Sequence, residues 1–312
     1  MKERLNKIRN SFSIKDLEDL SGIKSHTIRI WEKRYNLLQP ERTETNLREY
    51  SVEQLQKLLN VSLLNRNGFK ISKIAQLSKD EIAVNVLTLT SEESMNEKNI
   101  NEIKIAILNF DLRHFNMIYD SLLRKNTFQD VFLNTFIPFL EYVGVLWQSN
   151  AFSPSHEHFI SNLVRQKILF NIELESAKVF TPNVLFVPFL PLNEIHELGM
   201  LFVHYKILQL GYESVYLGQS VPINDLKLFP NRKESIIYVS SFTVAPTAEK
   251  ALGYINELKK TADLKKHDQM WFSGNRVKHL TQENLPKSCY VFDSFRDLFS
   301  QIENMGKVAT NS

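Results

Sequence analysis

Apolar residues set the period of this chain, and the period changes along it. Between Ser13 and Tyr35 two short amphipathic segments flank a glycine. In SIKDLEDLSG, Ser13 and Asp16 form a capping box and Gly22 supplies the stop. In HTIRIWEKRY, with Ser25 placed to cap it, Ile28 and Trp31 share one face while Arg29, Lys33 and Arg34 fall largely off it. Two short helices about a glycine turn predict a helix-turn-helix, the second helix in the recognition position. Pro40 and Asn46 then interrupt any helix in LLQPERTETNLREYS, where Arg42 and Arg48 sit in a predicted hairpin, a basic wing. Ser51 caps a further helix, and Ile71 to Leu77 adds a short amphipathic one.

Residues 80–100 turn polar and acidic, which predicts a linker. From Ile100 to Ser176 the only glycine is Gly144, and apolar residues return at helical spacing, as in Phe115, Ile118, Tyr119 and Leu122. A small bundle of antiparallel helices follows from that pattern. From 183 onward the β-rich runs NVLFVPFL, ESVYLGQ, SIIYVSSF, QMWFSGN and CYVFDS alternate with amphipathic stretches. Strands apolar on both faces, joined by connections long enough for crossover helices, predict a five-stranded parallel sheet, flavodoxin-like or Rossmann-like. The expected fold class is therefore multidomain, α plus α/β. It comprises a winged helix-turn-helix over 1–80, a four-helix bundle over 98–176 and a parallel sheet over 180–305.

Charge sharpens this division. Residues 1–80 hold 16 Lys and Arg against 10 Asp and Glu, so the net +3 of the whole chain is +6 in front and −3 behind. A positive head on a mildly negative body suggests a polyanion-binding module joined to something else. The single cysteine, Cys289, excludes an internal disulfide and a thiolate cluster. The longest apolar run, VLFVPFLPL, is about half of the ~20 residues of a membrane span, and MKERLNKIRN has no apolar segment behind it. A cytoplasmic protein that does not enter membranes is expected. No catalytic carboxylate pair, nucleophile dyad or phosphate loop is apparent, so an enzyme is not.

The candidate chemistry lies at the ends of the predicted strands, where open parallel sheets bind ligands. His196, in NEIHELG, follows the first strand, with Glu194 placed to orient its second ring nitrogen. Gly218 with Ser220, then Ser240 and Ser241, then Ser273 and Gly274 end the next three strands, and such small residues leave a slot. In the helical segment Trp147 is followed after nine residues by Glu157-His158. Taken alone, these three are better read as a core tryptophan at a helix end and surface polar groups.

The string TIRIWEKRYNLLQPERTETNLREYS closely resembles the winged-helix domain of MerR-family transcription regulators, with Asn46 where the family usually has Gly. The resemblance implies that Thr27, Arg29, Lys33 and Arg34 approach double-stranded operator DNA from the helix, and Arg42, Thr43, Arg48 and Tyr50 from the wing. Glu194-x-His196-x-x-Gly199 followed by YLGQSVPINDL resembles the cobalamin-binding domain, and Trp147 with Glu157-His158 matches the motif of its helical cap. The whole is similar to the CarH/LitR class of light-responsive repressors. That implies adenosylcobalamin as cofactor, His196 as lower axial cobalt ligand, a slot at Gly218, Ser240, Ser241 and Gly274 for the cofactor's tail, and a homo-oligomer, dimer or tetramer. Four positions depart from the pattern. Gln148 replaces a His after the Trp, Asn193 a Gly before the Glu, Gly274-Asn275 a Gly-Gly, and SSFTVAP a Ser-x-Leu. They leave open a MerR-type regulator whose cobalamin-like domain senses another ligand or serves only for oligomerisation. A corrinoid methyl carrier would share cap and sheet but lack the head.

Overall fold

The computed structural model describes residues 11–43, 45–87, 92–148, 153–176, 181–228, 235–262 and 264–309. Two compact units divide the chain, Met1–Asn162 and Leu163–Ser312.

In the first unit, β1 (Ser11–Phe12) leads into α1 (Ile14–Ser21) through the expected capping box. The Asp16 carboxylate accepts the Ser13 N–H at 2.7 Å, the Ser13 hydroxyl accepts the Asp16 N–H at 3.2 Å, and Gly22 ends the helix at φ 73°. Helix α2 (Ser25–Tyr35) starts differently from the expectation, since Ser25 is its first residue and not its cap. Glu18 of α1 takes that role, accepting the Ser25 N–H at 3.1 Å and the Ser25 hydroxyl at 2.6 Å. A carboxylate answers the positive end of a helix better than a hydroxyl does. Strands β2 (Glu41–Arg42) and β3 (Arg48–Ser51) form the wing, antiparallel, with β3 also paired to β1. Asn46 turns the hairpin at φ 63°, a conformation Asn tolerates better than most residues with a Cβ. Ser51 caps α3 (Val52–Arg66), and α4 (Ile71–Ile74) follows.

The predicted linker is instead largely helical: α5 (Lys79–Leu87) and α6 (Glu92–Leu108) cover most of it. Glu, Met and Lys favour helix, so polarity there reports exposure and not irregular backbone. The Arg66 guanidinium meets Glu97 at 2.8 Å, and the Asn96 amide donates to the Asn134 carbonyl at 3.0 Å, which ties this polar turn to its neighbours. Next come α7 (Leu112–Leu123), α8 (Phe128–Val131), a π turn (Phe132–Phe136) and α9 (Ile137–Gln148). Pro138, at the second position of α9, cannot donate a hydrogen bond and crowds the carbonyl four residues back, and the wide turn ahead of it relieves both problems. Helix α10 (Pro154–Ser176) runs across the boundary between the units.

The second unit is the five-stranded parallel sheet. Its elements are β4 (Thr181–Phe189), α11 (Leu198–Gln209), β5 (Tyr212–Ser214), β6 (Ser235–Ser241), α12 (Ala248–Ala262), β7 (Gln269–Ser273), β8 (Cys289–Val291) and α13 (Phe295–Ala309). Spatial order is β5-β4-β6-β7-β8, the flavodoxin-like arrangement, so connections reverse direction between β4 and β6. Leu185, Val187, Tyr238, Met270 and Phe272 pack with Ala251, Ile255 and Leu258 of α12. Phe186 and Trp271 meet edge to face at 5.8 Å. Two glycines are required by contact. A Cβ on Gly199 would stand 2.7 Å from the Phe295 ring of α13, and one on Gly274, where φ is 101°, would stand 2.5 Å from the Phe242 carbonyl oxygen. Among the described residues no helix is long and apolar enough to cross a membrane.

Gly274→Ala should lower unfolding stability by about 2 to 4 kcal/mol, since both φ and a backbone oxygen oppose the methyl. Gly218→Ala meets open space at φ 93° and should cost about 1 to 2 kcal/mol. Urea unfolding of the two variants checks the order.

Candidate functional site

On the winged unit, Arg29, Lys33 and Arg34 are exposed along α2, Thr27 is half-buried, and Ile28 and Trp31 turn into the core. This is the division that the helical period predicted. In the wing Arg42 is exposed, and its guanidinium also closes the turn by donating to the Asn46 side-chain oxygen at 2.7 Å. Thr43 accepts the Leu47 N–H at 3.0 Å. The structure places Tyr50 differently from its expected approach to DNA. It is fully buried, and its hydroxyl donates to Glu32 of α2, whose other oxygen accepts the Arg48 Nε at 3.1 Å. Burial and then the neighbouring Glu32 carboxylate push the phenol up. Tyr50 and Arg48 therefore set the angle between wing and recognition helix, through a glutamate that a reading centred on cations passed over. Its signal was available: Glu32 lies four residues from Ile28, on the buried side.

In the sheet unit, the loop after β4 carries the central carboxylate. Leu190 extends beyond the strand by donating to Gly218 at 3.0 Å, Asn193 takes a left-handed φ of 67°, and its N–H donates to the Ser220 hydroxyl at 3.0 Å. Glu194 then turns inward, 0% exposed. One carboxylate oxygen accepts the N–H groups of Thr243, Val244 and Ala245 at 3.0, 2.6 and 3.0 Å. The other accepts the N–H groups of Ile195 and His196 at 3.0 Å each and stands 2.6 Å from His196 Nδ1. Burial alone would raise this carboxyl, but the His196 hydrogen bond and the backbone donors of Val244, Ala245 and His196 overcome it and hold the group at about 2. An ionised carboxylate can only accept, so Nδ1 carries the proton and donates, and in the neutral ring the lone pair then lies at Nε2. The His196 side chain is 53% exposed. Leu192, Ile195 and Val244, all exposed apolar side chains, belong to the same pair of loops.

Behind that loop, Phe189 of β4 pairs with Ser240 of β6, and Ser241 with Ser273 of β7. Ser240, Ser241 and Ser273 are buried, and the hydroxyl oxygens of Ser240 and Ser273 have no hydrogen-bond partner. Buried hydroxyls left unsatisfied cost free energy, and a polar ligand atom entering between the strand ends would remove that cost. An oriented imidazole and orphaned hydroxyls on the strand ends fit a metal-bearing ligand with a polar tail. Gly218 lies half-buried at the opposite side of the switch point, while packing requires Gly199 beside Phe295 and Gly274 beside Phe242. His204 takes no part. Burial depresses it to about 4, and its Nδ1 lies 2.8 Å from the Ser214 hydroxyl.

Near the start of α10, His158 Nδ1 lies 2.8 Å from the Glu157 carboxylate, and Glu157 also accepts the Ser161 hydroxyl at 2.7 Å. Trp147 stands on the last turn of α9, and its side chain lies outside the described residues, as does that of Gln148.

The chain thus carries a winged helix with exposed cations and, in its second unit, a parallel sheet with a histidine at the switch point. Residues 12–81 match the MerR HTH family of regulatory proteins, and residues 100–169 match the B12 binding domain. Each of these matches spans less than a quarter of the chain, so the likeness belongs to the two segments: the first is similar to MerR-type regulatory proteins and the second to B12 binding domains. It is 26% identical over 222 residues to the HTH-type transcriptional repressor CarH of Myxococcus xanthus, covering 69% of this chain and 73% of that one. To the HTH-type transcriptional repressor CarA of the same organism it is 25% identical over 217 residues, covering 67% and 68%. Its fold is similar to that of the monomethylamine corrinoid protein of Methanosarcina barkeri, with TM-score 0.51 and 12% identity over 67% of this chain and 97% of that one.

Two substitutions probe the carboxylates. Glu32→Ala leaves Arg48 and Tyr50 without their acceptor and should cost about 1.5 to 3 kcal/mol in thermal unfolding of the winged unit. Glu194→Gln keeps the shape but sets an NH2 group against N–H donors. It should destabilise the second unit by about 2 to 4 kcal/mol, so wild-type stability in this variant would contradict the clamp.

Proposed function

We propose that the protein is a DNA-binding repressor controlled by adenosylcobalamin, with His196 as the lower axial ligand of cobalt. The observation that carries this reading is the Glu194–His196 pair at 2.6 Å, in which the carboxylate holds the tautomer that offers Nε2. Bound adenosylcobalamin would supply a cobalt centre for His196 below and a light-sensitive cobalt–carbon bond above. Leu192, Ile195 and Val244 would shelter the lower face from water. Gly218, Ser240, Ser241 and Gly274 would line the path of the tail, with the orphaned Ser240 hydroxyl, and that of Ser273, as its hydrogen-bond partners. By resemblance to the cap motif, Trp147 and the Glu157-His158 pair would take part in cobalamin binding, with Gln148 in place of the histidine of the light-responsive pattern.

At the winged unit, Thr27, Arg29, Lys33, Arg34, Arg42 and Thr43 would meet the operator backbone and bases, with Arg48 and Tyr50 holding the wing in register. A homo-oligomer stabilised by the cofactor would present several winged heads together. The second head then binds at a high effective concentration, and assembly governs DNA affinity without altering any single contact. One observation favours the rival ligand. Phe242 is fully buried beside Gly274, in the region where the tail would pass.

The deciding measurement is an absorption spectrum after incubation with adenosylcobalamin in the dark and desalting. Wild type should retain the cofactor with a spectrum showing histidine in place of the cofactor's own base, and His196→Ala should lose that signature. Illumination of the loaded protein then tests light response by the spectral change and by the oligomer mass. A colourless wild type would exclude cobalamin and leave the other-ligand reading.

A further inference from the structure

The last carbonyl groups of a helix have no partner within it and carry its negative end. At the end of α1, the first helix of the DNA-binding motif, those carbonyls are met by three side chains from three other helices. The Tyr142 hydroxyl of α9 donates between the Asp19 and Leu20 oxygens, at 2.7 and 2.9 Å. The Lys104 ammonium of α6 donates to the Leu20 oxygen at 3.1 Å and to Asn101 at 3.3 Å, and the Arg66 guanidinium of α3 reaches the Ser21 oxygen at 3.3 Å. Lys104 also lies over the Tyr142 ring, 4.3 Å from its centre.

This is an expensive way to finish a helix. Lys104 is buried, burial pushes its ammonium down to about 8, and its direct acceptors, a carbonyl and an amide, are neutral. Gly22 already supplies the ordinary stop. Buried charge that the local fold does not require points to a positional role. The contacts also border a cavity of about 170 Å³ lined by Ser62, Arg66, Asn101, Lys104 and Tyr142, in which the Ser62 hydroxyl is buried without a partner. A gap beside a polar contact gives the gripping side chains room for a second arrangement.

We propose that Tyr142 and Lys104 are positioning residues that latch α1 of the winged head to the helical segment, so that α9 relays cofactor binding to the head. The relay rests on the function proposed above, because α9 carries Tyr142 in its middle and Trp147 on its last turn. The latch itself rests on the contacts alone. A shift or rotation of α9 that withdraws Tyr142 frees the α1 carbonyls and changes how firmly the recognition helix is held.

Two measurements on the full-length protein separate these claims. Hydrogen–deuterium exchange without cofactor should show amides of residues 14–35 exchanging about three- to tenfold faster in Tyr142→Phe, with those of 112–123 unchanged. Lys104→Met should do the same and Lys104→Arg much less. No change in Tyr142→Phe, or equal acceleration in both segments, would overturn the latch. The second measurement is the ratio of Kd values for an operator duplex, selected from random-sequence DNA by the wild type, with and without adenosylcobalamin. Tyr142→Phe should bring that ratio toward one, because removing a coupling element weakens the linkage and not just the binding. A merely structural residue would shift both values equally and leave the ratio intact, which would overturn the relay. If wild type retains no cobalamin, both the proposed function and the relay fall, and exchange alone decides the latch.

Discussion

One buried carboxylate holds the candidate ligand site together. Glu194 accepts five backbone N–H groups and one imidazole N–H, drawn from two loops on either side of the point where the sheet reverses its winding. Sheets of this order open a crevice there because the connections from β4 and β6 leave in opposite directions. A crevice of that kind has no backbone ladder to define its width. Glu194 supplies the missing bridge, and it does so ionised, since burial without those donors would drive the group toward its neutral form. The tautomer of His196, the path between strand ends and the spacing of the two loops all follow from this one group.

The winged unit uses the same device on a smaller scale. Glu32 collects Arg48 and the Tyr50 hydroxyl, and so joins a strand to the helix beside it. In both units the side chain that is aimed outward, Arg48 or His196, is partly exposed, whereas the acid that orients it, Glu32 or Glu194, is largely or wholly shielded. Each acid is worth more than a fully exposed ion pair because the carboxylate itself is shielded from water.

Much of the fold was legible in the sequence. The capping box at Ser13, the glycine stop at Gly22, the wing turn at Asn46 and the five strand runs each carry local chemistry that dictates local geometry. The candidate histidine was legible too, because it follows a strand and has a carboxylate two residues before it. What escaped the sequence depended on partners far along the chain. Residues 80–100 looked like a linker because their polarity is visible locally, while the contacts Arg66–Glu97 and Asn96–Asn134 are not. The cap of α2 came from Glu18 on the preceding helix, and Tyr50 was drawn inward by Glu32, sixteen and more residues being needed to close that group. The three amides that grip Glu194 lie about fifty residues beyond it, and a backbone N–H leaves no mark in a side-chain motif.

That last point bears on which changes the site could absorb over time. Thr243, Val244 and Ala245 serve Glu194 only through the main chain, so their side chains are at liberty to drift and thereby to reshape the ligand's surroundings while the histidine keeps its aim. One residue type is barred from all three positions. Proline has no N–H to offer, and this chain places a proline, Pro246, at the first position after the last donor.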